Sequence, residues 1–180
     1  MQSSDNPLEH LFHADLCRYL LSLGRIDSHF PEAPDIEDLW PSVAQSYLSD
    51  GIREFADFPI VSLAWPAYVG MAVAKYWDTD WNLYSKVDDI YLYLRNQRDF
   101  DHLDDYISCN VLLLKADKQQ RLYDVMGECA ARVLSILRHA HLEPGTREAF
   151  NGYVAAIHQM YLMGMAMQLK DMGYRMEKMG

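Results

Sequence analysis

The chain has 180 residues, with 26 acidic against 16 basic and a formal net charge of −10, and half of its residues are hydrophobic. That length and composition suit one globular domain able to bury a sizeable core, here residues 1–180, and exclude a disordered tail, a collagen-like fibre and a disulfide-stapled miniature. Nucleic acid is a poor partner for such a chain, because displacing phosphate counterions needs clustered Lys and Arg and these are scattered singly.

Met1 to Asn6 is polar and carries an acid at Asp5. It therefore lacks the basic start and apolar run of a secretory signal. The cysteines, Cys17, Cys109 and Cys129, are odd in number and widely spaced. They read as reduced thiols, and the expected location is cytoplasmic. The most apolar stretch, Tyr153 to Leu169, is interrupted by His158, Gln159 and Gln168. A membrane span needs about 20 nearly unbroken apolar residues, so a buried helix is expected and no span.

Helix punctuation recurs along the chain. Asn6 suits the cap of a first helix, with Pro7 at its first position and Glu9 placed to bond back to the cap. Leu8, Phe12, Leu16, Tyr19 and Leu23 recur at helical spacing as its apolar face, and Gly24 ends it. A loop follows to Pro34. Asp35 opens a second helix with Glu37 and Asp38 in its first turn, and Pro41 starts a new turn or bends it.

A break is expected over Gly51 to Pro59, then a third helix from about Ile60 to Trp77 that Pro66 kinks or begins. Asp80 caps a fourth helix to about Arg98, buried through Tyr84, Val87, Tyr91 and Leu94. Asp101 and Asp117 read as further caps, of two helices or of one rod. Glu143-Pro144-Gly145-Thr146 is a turn, and Thr146 caps a last helix to about Met172. Residues 1–6 and 173–180 read as a flexible and a frayed terminus. Strand alternation is almost absent, so the predicted fold is all-α: a compact antiparallel bundle of six or seven helices, some of them kinked at proline.

Few residues form a reactive set. Asp78 to Asp89 has oxygen ligands at the spacing of a calcium loop. Leu83 stands where that loop needs Gly, however, and Lys86 brings a positive charge, so Asp80 is better read as a cap. His10, His13 and Cys17 share one side of the first helix and are the weak candidates for a metal, but a fourth ligand is missing. That side is expected to be solvated or to contact a partner. Asp99, Asp101, Asp104 and Asp105, with His102 among them, are favoured by the positive end of a helix.

Arg95 precedes His102 by seven residues. His158 lies among Val154, Leu162 and Met165 and reads as a satisfied core imidazole. Arg95, His102, Asp104, Asp105 and His158 are thus the weak catalytic candidates, and no cofactor is called for. Methionines crowd the last helix. Met160, Met163 and Met167 are expected to fill the core and to contact a second subunit.

The sequence alone leaves function open. Its best reading is a helical interaction or structural protein, expected to form a homodimer or to bind a protein partner. The alternative is a small all-helical enzyme, hydrolase or nuclease-like, whose pocket draws on several helices.

Overall fold

A computed structural model describes residues 6–174, which are helical and contain no strand. In chain order the helices are α1 (Pro7–Ser22), α2 (Pro34–Glu37), α3 (Trp40–Phe55), α4 (Pro59–Tyr84), α5 (Ile90–Arg95), α6 (Leu103–Tyr106), α7 (Ala116–His139) and α8 (Arg147–Asp171), with a π-helical turn at Ile107–Val111. The bundle of helices is the one expected. The expected flexibility of residues 1–5 and fraying of 175–180 concern positions outside the described residues. Asn6, Gly173 and Tyr174 are placed: Asn6 caps α1, and the Tyr174 hydroxyl donates to Asp78 at 2.5 Å.

α8 and α4 form the centre. Both are apolar nearly all round, and each packs more extensively on the other than on any third helix. Their contact is backbone on backbone. A methyl group built at Gly164 would overlap the Ala67 carbonyl, and one at Gly70 would overlap the Tyr161 carbonyl. The other long helices, α1, α3 and α7, surround this pair and cover it with amphipathic faces. The expected role of three methionines is corrected by this geometry. Met160, Met163 and Met167 are 0% exposed within a single chain, so they are core and offer no surface to a second subunit.

Local signals explain most boundaries and correct several. The Asn6 side chain accepts from the Leu8 amide at 2.9 Å, as a cap should. Glu9 does not close a capping box, because its side chain turns into the core, and the buried face of α1 runs Glu9, Phe12, Leu16 and Leu20. Leu23, assigned to that face, is exposed. α2 is a single turn, and Pro41 stands at the start of α3.

Gly51 does not break α3. A side chain there would strike Tyr47 and the Tyr153 hydroxyl (2.6 Å), so the glycine serves packing. Pro66 lies inside α4, whose one departure from helical backbone angles is at Asp80. Asp80 then caps Leu83 at 3.2 Å. The helix expected from there to Arg98 stops at Tyr84 and restarts as α5, capped by Asp89 on the Leu92 amide at 3.0 Å. α6 and α7 are two helices. Between them Leu113 takes a left-handed φ of 57°, a conformation that ends a helix. Neither Asp101 nor Asp117 caps: His102 precedes α6 and Lys115 precedes α7.

The central contact fixes the sign of a paired test. Gly164→Ala should lower unfolding free energy in urea by about 3 kcal/mol, because the carbonyl it strikes cannot rotate away. Gly127→Ala, inside α7 with nothing near its Cβ, should raise it by roughly 0.5–1 kcal/mol.

Candidate functional site

The first cluster of interest is built on α1 and α8. Glu9 is 4% exposed. Its Oε2 accepts from His158 Nδ1 at 2.6 Å and from the Gln159 amide at 2.8 Å. Its Oε1 is buried and has no partner among the described residues. The opposite end of Gln159 faces His13 Nδ1 at 2.8 Å, and His13 Nε2 lies 3.4 Å from the Cys17 sulfur.

The bonds orient one another in turn. A carboxylate only accepts, so the Gln159 NH2 must face Glu9 and its oxygen must face His13. His13 then donates from Nδ1, which leaves Nε2 to accept from the Cys17 thiol. His158 also stacks on Trp40 with ring centroids 5.2 Å apart. Burial pushes the Cys17 thiol up to about 11 and the Cys129 thiol up to about 12. Thiols so protonated are poor nucleophiles. The arrangement ties α1 to α8, which covers part of the side of α1 expected to be solvated or to contact a partner, while His10 on that side is exposed.

No group of three or more metal-ligating side chains converges among the described residues. His13 and Cys17 are brought together, while His10 is exposed. The weak catalytic candidates are dispersed over different partners. Arg95 donates to both oxygens of buried Asp50, at 3.3 and 3.2 Å, beside the Tyr91 hydroxyl at 2.6 Å. His102 pairs with Asp99 at 2.7 Å on the surface. Asp104 is buried and Asp105 is exposed. Burial first, then the neighbouring Asp105 charge, raises the Asp104 carboxyl above its ordinary value. His158 belongs to the Glu9 cluster.

A second feature is an open, largely apolar groove of about 1030 Å³. It lies between the C-terminal ends of α3 and α7 and the N-terminal end of α8, and Phe55, Pro59, Leu134, Leu137, Ala149 and Tyr153 contribute to its wall. The floor is pinned. Ser62 Oγ donates to the Gly51 carbonyl at 2.7 Å, so the Tyr153 hydroxyl must donate to Ser62 Oγ at 2.6 Å. Ile52 and Phe150 line the groove and are each 45% exposed, and Phe58, next to Pro59, is 60% exposed. Its charged wall residues are Arg138 and Glu143, with His141 beside them at a left-handed φ of 52°.

Comparison with family models, with curated proteins and with solved structures finds no match, so the geometry alone carries the functional reading.

Sequence reasoning gave Glu9 to a capping box and passed over Asp50, which looked like an ordinary helical acid. The usable signal was spacing, since Glu9 shares the stripe of Phe12, Leu16 and Leu20 and Asp50 follows Tyr47 on the buried face of α3. The groove has no local signature, because its walls come from the ends of four helices, α3, α4, α7 and α8.

Two measurements test these assignments. Iodoacetamide near neutral pH should add one group to the native protein, at exposed Cys109, while Cys17 and Cys129 label slowly, as read by mass spectrometry. Asp104→Asn should stabilise the fold near neutral pH. A carboxyl raised by folding is penalised when ionised and relieved when protonated, so the advantage should shrink as pH falls through the raised value toward the ordinary 3.8. Urea midpoints across pH report it.

Proposed function

We propose that this chain is a helical interaction protein that acts by contact rather than by catalysis, and that the groove joins two copies of it. One observation carries the reading: an apolar groove that bears, on its own rim, the exposed side chains Ile52 and Phe150. A patch that holds both a hollow and protruding apolar groups can be self-complementary about a two-fold axis, each copy filling the other. The charge pattern supports it. Copies of net charge −10 repel as wholes. The groove offers one guanidinium, Arg138, and one carboxylate, Glu143, so two grooves can face each other with unlike charges paired.

The separation of the acid–base candidates supports contact over catalysis, since none of Arg95, His102, Asp104, Asp105 and His158 lines the groove. The thiols of Cys17, Cys109 and Cys129 are unpaired, which suits a reducing compartment such as the cytoplasm. No helix among the described residues is long and apolar enough to cross a membrane.

Sedimentation equilibrium over a concentration series decides the matter. The expected result is a monomer–dimer equilibrium that Phe150→Asp and Ile52→Asp each shift to monomer, with helical circular dichroism unchanged. A monomer at every concentration, or a dimer indifferent to both substitutions, overturns the proposal. Saturable binding of dodecanoate to a monomeric groove would replace the second copy with a small amphiphile.

A further inference from the structure

One side of α1 brings a nitrogen and a sulfur together without enclosing them. Cys17 Sγ lies 3.4 Å from His13 Nε2, one helical turn away. Both residues are partly exposed, and neither lines the groove.

The imidazole is fixed from its other side. Its Nδ1 lies 2.8 Å from the Gln159 side-chain oxygen, and Phe30 packs edge-on against the ring at 4.9 Å. With Nδ1 donating to Gln159, the Nε2 lone pair is aimed at the sulfur. A metal-ligating histidine normally has this support, its second nitrogen held by an acceptor so that the ring cannot turn. Gln159 in turn donates to Glu9 at 2.8 Å. Glu9 ends the chain of bonds with Oε1, which is buried and has no partner among the described residues. A cation on Nε2 withdraws electron density from the ring. It thereby strengthens the Nδ1 donation and the bond beyond it, toward a carboxylate that is short of donors.

We propose that His13 and Cys17 form a two-coordinate site for copper(I), bound through Nε2 and Sγ. Thiolate and imidazole both suit this soft monovalent ion. Zinc is a poor fit, since its structural sites take four ligands and no group of three metal-ligating side chains converges among the described residues. Copper(I) needs only two, in line. Bonds of about 2.0–2.3 Å to such ligands set nitrogen and sulfur about 4.3 Å apart. The gap of 3.4 Å must therefore open by about 1 Å, which a turn of the Cys17 side chain supplies. On binding, the S–H bond breaks, its proton passes to water and an S–Cu bond forms. No oxidation state changes. One positive charge replaces another, so a partly buried place gains no net charge.

The test uses the full chain with Cys109→Ser, which removes the exposed thiol. It is titrated without oxygen against copper(I) held by the coloured chelator bicinchoninate. The expected result is one ion withdrawn per chain, with one sulfur and one imidazole nitrogen on the copper by X-ray absorption. Cys17→Ser should abolish the withdrawal, and His13→Gln should weaken it by about tenfold or more. His10→Gln, at the exposed histidine one turn earlier, should leave it unchanged. Circular dichroism checks that each variant keeps its helices. Affinity unchanged by Cys17→Ser or by His13→Gln overturns the proposal. So do two sulfurs on the copper, the mark of a thiol bridge. The absorption spectrum of the chain with His13 and Cys17 intact decides even where a variant fails to fold. Phe150→Asp should bind copper as before, so the fate of the dimer and that of the metal site are read separately.

Discussion

The rest of the structure depends on how closely α4 and α8 approach. Two helices can bring their backbones together only where no Cβ intervenes, and Gly70 and Gly164 supply that gap from opposite sides of the contact. Helices so close cannot be separated by a layer of large side chains. Each must therefore find its apolar neighbours around the outside, where α1, α3 and α7 pack. The methionines follow from this. A tight crossing leaves irregular spaces on either flank, and an unbranched, flexible side chain fills such spaces better than a branched one. Met160, Met163, Met165 and Met167 are accordingly all 0% exposed.

What the sequence made legible was what obeys a local rule. Asn6, Thr146 and Gly145 announced themselves because a cap or a turn is a contract between a side chain and the nearby backbone. Apolar recurrence gave the helices for the same reason. The errors fall where tertiary contact overrules a local preference. Gly51 reads as a helix breaker until Tyr47 and Tyr153 are seen to need its space. Glu9 reads as half of a capping box until two α8 side chains claim its carboxylate. Asp101 and Asp117 read as caps because the type of residue fits, while the chain turns a residue or two away. The groove was illegible for a stronger reason: it gathers residues from several helices, and only the three-dimensional path sets them side by side.

That path also carries α4 across the molecule. It begins at the groove, where Pro59 forms part of the wall, and it departs from helical geometry at Asp80. An apolar hollow selects by shape and tolerates salt, so contact made at the groove is expected to be insensitive to ionic strength.

The buried polar groups fit the same view. The glycine contacts already resist a slide of one helical turn along the crossing of α4 and α8, since it would set a side chain against the Ala67 or Tyr161 carbonyl. Buried polar side chains resist it independently. A shifted α8 would leave Glu9 buried with neither His158 nor Gln159, and breaking a buried pair in that way costs about 3–5 kcal/mol. The same shift would part the Tyr153 hydroxyl from Ser62 and leave it buried without its acceptor, while Ser62 keeps its bond to the Gly51 carbonyl. These bonds lie at two separate places along α8, one against α1 and one where α3 meets α4. Two pins on one rod fix both its translation and its rotation. Imidazole, carboxylate and thiol can thus be conspicuous in the interior of this protein because they set its register, and the surfaces that register holds in place are where contact with other molecules is expected.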